Sequence, residues 1–239
     1  MGCGSGRKLI QHGVGLLGEP KLSDILTRPS QPPDWLVPNI LHRGTMVILA
    51  GDPGVGKSVL SYTLAVAKAT GTPFLGEPLT AGKVLYFDEE NSRPDFEEYF
   101  RWVWRGLGRP DVDLIDQNLQ VKRFCLSSPL HFDHMTGYAN AWKPELIVVD
   151  TATPVCQIED ENANGEASKA IRGLRRVMGA VPNSTMLVLK HAKVIEEDSD
   201  QERTIRGAKA WLGEVDGVLF HLKNLGRSRK DGLRPTRIA

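Results

Sequence analysis

Hydrophobic positions along the chain gather in short continuous runs separated by stretches with helical spacing. Residues 46–50 (Met-Val-Ile-Leu-Ala), 83–87 (Lys-Val-Leu-Tyr-Phe), 145–150 (Glu-Leu-Ile-Val-Val-Asp) and 185–190 (Thr-Met-Leu-Val-Leu-Lys) are too short for helices and apolar without alternation. That pattern predicts strands buried on both faces. Residues 119–125 and 217–222 read as two further strands. Between them, 59–70 has the alanine and leucine content of a buried helix and stops at Gly71-Thr72-Pro73. Residues 94–106 form a helix carrying Phe96, Tyr99, Phe100, Trp102, Val103 and Trp104, too aromatic to be wholly exposed. The amphipathic segment 166–178 sets Ala170, Ile171, Leu174 and Val177 on one face and Arg172, Arg175 and Arg176 mostly off it. Short helices are expected at 21–27 and 207–212. Strands alternating with helices predict an α/β fold, a mostly parallel central sheet with helices on both faces.

Outside these elements the pattern fades. Residues 1–20 hold six glycines and no steady period, which predicts a flexible N-terminal arm. Residues 28–38 are proline-punctuated and extended, with Trp35, Leu36 and Val37 as apolar anchors that either pack on the core or clamp a bound base or a neighbouring subunit. The expected organisation is therefore an arm (1–20), one α/β domain (21–225) and a basic C-terminal tail (226–239), because residues 223–239 hold six basic residues against one acidic.

Composition narrows the class only modestly. With 239 residues, 41% hydrophobic and 25% charged, the chain suits one α/β domain with a substantial core. A net charge of +1 gives no overall attraction to nucleic acid or membrane. Three scattered cysteines (Cys3, Cys125, Cys156) fit neither a disulfide framework nor a zinc site, and a reducing cytoplasm is expected. No apolar run approaches the ~18 residues that span a bilayer, so no membrane partner is expected. The opening Met1-Gly2-Cys3 has Gly6 where a myristoylation site needs Ser or Thr.

The candidate chemistry is concentrated after the first strong strand. Gly51-Asp52-Pro53-Gly54-Val55-Gly56-Lys57-Ser58, followed by Val59, is a full P-loop match between a strand and a helix. Its glycines let successive N–H groups converge on phosphate oxygens at the positive end of the helix. Lys57 then supplies a cation to the β- and γ-phosphates of ATP, and Ser58 a hydroxyl to Mg²⁺. Asp150, closing an apolar strand, is the expected second carboxylate at the metal's water shell. Since Thr151 follows it, a base for hydrolysis is expected from Asp88-Glu89-Glu90, delivered to the same sheet edge by the second strand. Side chains alternate along a strand, so only one of Glu89 and Glu90 is expected to face the phosphates.

Together these residues resemble the RecA/DnaB-like class of P-loop ATPases, and within it the hexameric helicase group typified by plasmid RepA proteins. The resemblance rests on Trp35-Leu36-Val37-Pro38 ahead of the P-loop, Leu75-Gly76, 82–86, Asp88-Glu89-Glu90-Asn91, Val148-Val149-Asp150-Thr151, 161–164, 187–193, and Arg206-Gly207-Ala208 before Asp216. It implies that Glu90, with Glu89 second, is the catalytic glutamate and that His191 is the polar residue sensing the γ-phosphate. It also implies a ring, possibly a hexamer, in which a neighbour completes each site with an arginine finger from Arg227 or Arg229, with Arg206 as rival. Single-stranded DNA is the implied partner and a replicative helicase the implied activity. The loops expected to meet DNA are acidic: 151–166 has Glu159, Asp160, Glu161 and Glu166 and no Lys or Arg, which leaves Lys193 and Arg203 in the second loop as the candidate contacts. A RecA-fold recombination or regulatory ATPase and a small-molecule P-loop kinase remain as alternatives.

Overall fold

The computed structural model describes residues 21–30, 32–123, 131–160, 163–191, 211, 213, 216, 219–224 and 236–238. The chain divides into a unit of Met1–Pro33 and a unit of Asp34–Ala239. In the first, α1 (Leu22–Thr27) is a single short helix with Leu22 and Leu26 exposed. The predicted arm at 1–20 lies outside the described residues.

The second unit is built on β1 (Trp35–Val37), β2 (Leu41–His42), β3 (Met46–Gly51), β4 (Val84–Asp88), β5 (Leu119–Lys122), β6 (Leu146–Asp150), β7 (Thr185–His191), β8 (Leu219–Asn224) and β9 (Thr236–Ile238). Its helices are α2 (Lys57–Thr70), α3 (Arg93–Gly106), α4 (Val112–Asn118), α5 (His131–Trp142), α6 (Ala152–Val155) and α7 (Asn164–Gly179). Strands β3 to β9 form one sheet in the order β5-β4-β6-β7-β3-β8-β9. All neighbours in it are parallel except β8 and β9, which pair antiparallel.

Alternation along each strand sorts the core into two layers. Met46, Ile48, Ala50, Leu85, Phe87, Ile147, Val149, Met186 and Val188 face a cluster with α5, α6 and α7. Val47, Leu49, Val84, Tyr86, Val148, Leu187 and Leu189 face a second cluster with α2, α3 and α4. Helices on both sides explain why these strands are apolar throughout. On the first side α7 approaches closely enough that a Cβ on Gly173 would lie 2.4 Å from the Phe132 ring.

The predicted elements that fall within the described residues are present with small shifts at their ends, the short helix expected at 207–212 lies almost wholly outside those residues, and three features differ. Helix α4 is too short to show a period; Asp111 caps it by accepting the Asp113 N–H at 2.9 Å. Helix α5 spans His131–Trp142, a segment to which the hydrophobic pattern assigns no element. Within residues expected to be only a basic tail, Thr236–Ile238 pair as β9 with Leu222, Lys223 and Asn224. That pairing covers the outer edge of β8, which would otherwise present unsatisfied backbone groups. The 28–38 segment resolves toward packing: Leu36 and Val37 are buried in the α2-side cluster, and Trp35 stacks on His42 at 3.9 Å between ring centroids.

Strand β7 lies between β3 and β6, so the P-loop strand and the Asp150 strand are not neighbours. Their carboxyl ends still reach one edge of the sheet, where open α/β sheets leave a crevice.

Candidate active site

The P-loop leaves β3 at Gly51 and enters α2 at Lys57. A Cβ at Gly51 would come within 2.8 Å of Val55 Cγ1 and 3.1 Å of the Leu222 carbonyl, so the loop closes over its own start only with glycine there. Gly54 and Gly56 take left-handed backbone angles, φ 73° and 99°, and Gly56 is the N-cap of α2. Asp52 and Val55 close the turn through a 3.3 Å N–H to carbonyl bond. Gly54, Gly56, Lys57, Ser58 and Val59 line a cleft of about 380 Å³ whose other walls are Glu90, Asn91, Tyr99 and Trp102. Pro53 is exposed at the rim.

Lys57 is buried and folded back on the loop, its ammonium donating to the Gly51 and Asp52 carbonyls at 3.0 Å each. Burial lowers its pKa against the pull of Glu90, Asp150 and Asp52. The register pairs Gly51 with His191, which sets the imidazole beside the P-loop. His191 Nδ1 lies 3.4 Å from Lys57 Nζ, and Nε2 lies 3.3 Å from Glu90 Oε1. Lysine, histidine and glutamate thus form a chain across the cleft. The hydrogen bond from His191 holds the Glu90 carboxyl below the usual range, against burial and with help from Thr151 and Lys57. Glu89 turns elsewhere. Burial pushes its pKa up to about 7 while Arg123 opposes the shift. The expected divergence of the two glutamates is present, and Glu90 is the one in the cleft.

Asp150 is fully buried, and burial raises its pKa to about 7, although Tyr86 and Ser58 pull it down. Its Oδ2 accepts the Tyr86 hydroxyl at 2.7 Å; its Oδ1 is buried without a hydrogen-bond partner. A carboxylate oxygen with unused capacity, a serine hydroxyl beside it and a phosphate cradle make a fitting set of hard oxygen donors for Mg²⁺. Among the described residues no group of three or more His, Cys, Asp or Glu is placed to hold a metal ion, so such an ion would take its remaining ligands from phosphate and water.

A buried polar network absent from the sequence reading supports these groups. Tyr62 on α2 donates to Asp88 Oδ2 at 2.7 Å, and Asp88 Oδ1 accepts the Asn91 backbone N–H and side-chain amide, each at 3.2 Å. Asn91 also donates to the Tyr62 hydroxyl at 3.1 Å. Ser61 and Tyr86 share a 2.6 Å bond, which ties α2 to β4. The turn carrying Glu90 is thereby fixed at both ends, with the Glu89 N–H donating to the Asp150 carbonyl at 2.9 Å. The signal was available in Ser61-Tyr62, a pair with hydroxyls beside the apolar run 64–67 of α2, and in Tyr86, which shares a strand face with Val84 and Asp88.

Of the predicted site residues, Gly51 to Val59, Glu89, Glu90, Asp150 and His191 are gathered at this edge. Arg206, Arg227, Arg229, Lys193 and Arg203 lie outside the described residues. Among the described residues Lys57 is the one cation lining the cleft.

A family model described as an AAA domain, a group of P-loop ATPases related to RecA/DnaB-like helicases, matches residues 19–197. No curated protein matches the chain.

Proposed function

The chain belongs to this AAA domain family of P-loop ATPases, and from that premise we propose that it is a Mg²⁺-dependent ATP hydrolase of helicase type, working as a ring on single-stranded DNA in replication. The observation that carries the reading is the Lys57–His191–Glu90 chain across the P-loop cleft.

The chemistry follows from the side chains present. Amides of the loop at Gly54 and Gly56 and the ammonium of Lys57 hold the β- and γ-phosphates, and Lys57 must leave the Gly51 and Asp52 carbonyls to do so. Ser58 and Asp150 are the residues that would hold Mg²⁺, which when bound would supply neutralisation of phosphate charge. Glu90, kept ionised by His191, accepts a proton from water as the water oxygen bonds to the γ-phosphorus and the bond to the ADP oxygen breaks. His191, touching both Lys57 and Glu90, is positioned to register whether a phosphate lies between them. With Lys57 the one cation in the cleft among the described residues, a positive group from a neighbouring subunit completes the site, Arg227 or Arg229 first and Arg206 second. Lys193 and Arg203 are the proposed DNA contacts.

The test is ATP turnover by the full chain with and without poly-dT, alongside its mass in solution. Glu90→Gln is expected to retain ATP binding and lose about 10²-fold or more in turnover, and poly-dT is expected to stimulate the wild type. Absence of stimulation in an assembled ring overturns the helicase assignment. Loss of turnover in Glu89→Gln with Glu90→Gln active overturns the choice of base.

A further inference from the structure

One wall of the P-loop cleft is aromatic. Tyr99 and Trp102, three residues apart on α3, lie on one side of the helix with ring centroids 5.4 Å apart and an interplanar angle of 55°. Both line the cavity that contains Gly56, Lys57 and Ser58. The other aromatics of α3 have structural work: Phe96, Phe100 and Trp104 pack against the α2-side core, and Trp104 Nε1 donates to the Pro110 carbonyl at 2.9 Å. Tyr99 packs against that core as well. Trp102 is different. It is 51% exposed and outside the core cluster, so the fold gains little from an indole at this position. An exposed indole on the wall of a cleft of about 380 Å³ that also holds the phosphate cradle has the size and chemistry to take the other end of a nucleotide.

We propose that Trp102, braced by the tilted Tyr99 ring beside it, is the platform on which the base of the bound nucleotide stacks. The proposal rests on the reading of the cleft as a nucleotide site and adds the part of the ligand that the P-loop leaves unrecognised. Stacking uses the face of the ring rather than its hydrogen-bonding edge, so this contact supplies affinity for any purine and little choice between adenine and guanine.

The experiment is calorimetric binding, with Mg²⁺ present, of ATP and of inorganic tripolyphosphate to the full chain, its Trp102→Ala variant and its Trp102→Phe variant. Base stacking is worth enough that Trp102→Ala should weaken ATP about 10-fold or more. Trp102→Phe should recover most of that loss, and tripolyphosphate should bind all three proteins alike. Unchanged ATP affinity in Trp102→Ala, with tripolyphosphate still bound, overturns the stacking platform and leaves the P-loop site standing. Equal losses for ATP and tripolyphosphate overturn it too, by making Trp102 a structural residue. Failure of the wild type to bind either ligand removes the nucleotide site and the platform with it.

Discussion

Helix α2 carries a buried lysine at each end, and the two are held differently. Near the end of the helix Lys68 is fully buried, donates to the Thr80 carbonyl at 2.8 Å and pairs with Glu145 at 3.0 Å. Arg43 reaches the same carboxylate at 2.7 Å. The fit is close, since a Cβ on Gly82 would fall 2.2 Å from Glu145 Oε1. At the start of the helix Lys57 has two loop carbonyls and an imidazole nitrogen, and its nearest carboxylates are engaged elsewhere: Glu90 with His191, Asp150 with Tyr86. The carboxylates repeat the contrast. Burial works to raise Glu145, but Lys68 and Arg43 outweigh it and hold the group below its usual range. Burial wins at Asp150. One edge of the sheet is electrostatically complete and the other is not, and a fold tolerates such incompleteness where a ligand supplies the missing charge.

The largest expected effect comes from removing the incomplete carboxylate. Asp150 titrates near 7 in the native protein against an ordinary value of 3.8. The folded state therefore holds an extra proton between those values, and stability falls as pH rises from about 4 to 7 and stays reduced above. In metal-free buffer Asp150→Asn should raise the unfolding free energy at pH 8 by up to about 4 kcal/mol. The gain should shrink toward zero near pH 4, as read by urea denaturation. An Asp150→Asn protein less stable than wild type at pH 8 would break the comparison.

At the complete edge the sign reverses. Glu145→Ala strands Lys68 in the interior and should cost about 3 kcal/mol at neutral pH, toward the low end for a buried pair because Glu145 is partly exposed. Its native pKa is depressed, so the stabilisation is present above the unfolded value and is lost as pH falls through the folded one. The wild-type and Glu145→Ala curves should converge in acid. A smaller effect is expected at Asp216, whose Oδ2 accepts the Met46 N–H at 2.8 Å and whose carboxylate pairs with Arg175 at 3.0 Å. Asp216→Ala should lower the urea midpoint by the equivalent of about 1 kcal/mol, and high salt should narrow the gap.

These two edges were unequally legible in the sequence. The P-loop, the strand ending in Asp150 and the pair Glu89-Glu90 were readable because each is encoded locally, by spacing, by a run of apolar residues and by strand alternation. The two glutamates do diverge, although β4 ends at Asp88 and it is the turn after the strand that separates them. The contact of His191 with both Lys57 and Glu90 was beyond local reading, because it depends on β7 settling between β3 and β6, and 134 residues separate Lys57 from His191 in sequence. The Tyr62–Asp88–Asn91 network was hidden for a related reason: tyrosines within apolar runs read as core, and their hydroxyls acquire meaning only when β4 and α2 meet. The Lys68–Glu145–Arg43 cluster carries no motif at all. Strand β9 escaped because a three-residue strand in a basic stretch has neither length nor hydrophobicity to announce it.

The central claim, that the incomplete edge is completed by a magnesium nucleotide, is tested most directly by the unfolding free energy of wild type and Lys57→Ala as Mg·ATP is added. The wild type should gain about 2.7 kcal/mol at a ligand concentration one hundred times Kd. Lys57→Ala should gain far less at the same concentration, while its stability without ligand stays close to that of wild type because Glu90 keeps His191 and Asp150 keeps Tyr86 as partners. No gain in the wild type, or an equal gain in both proteins, would contradict the account.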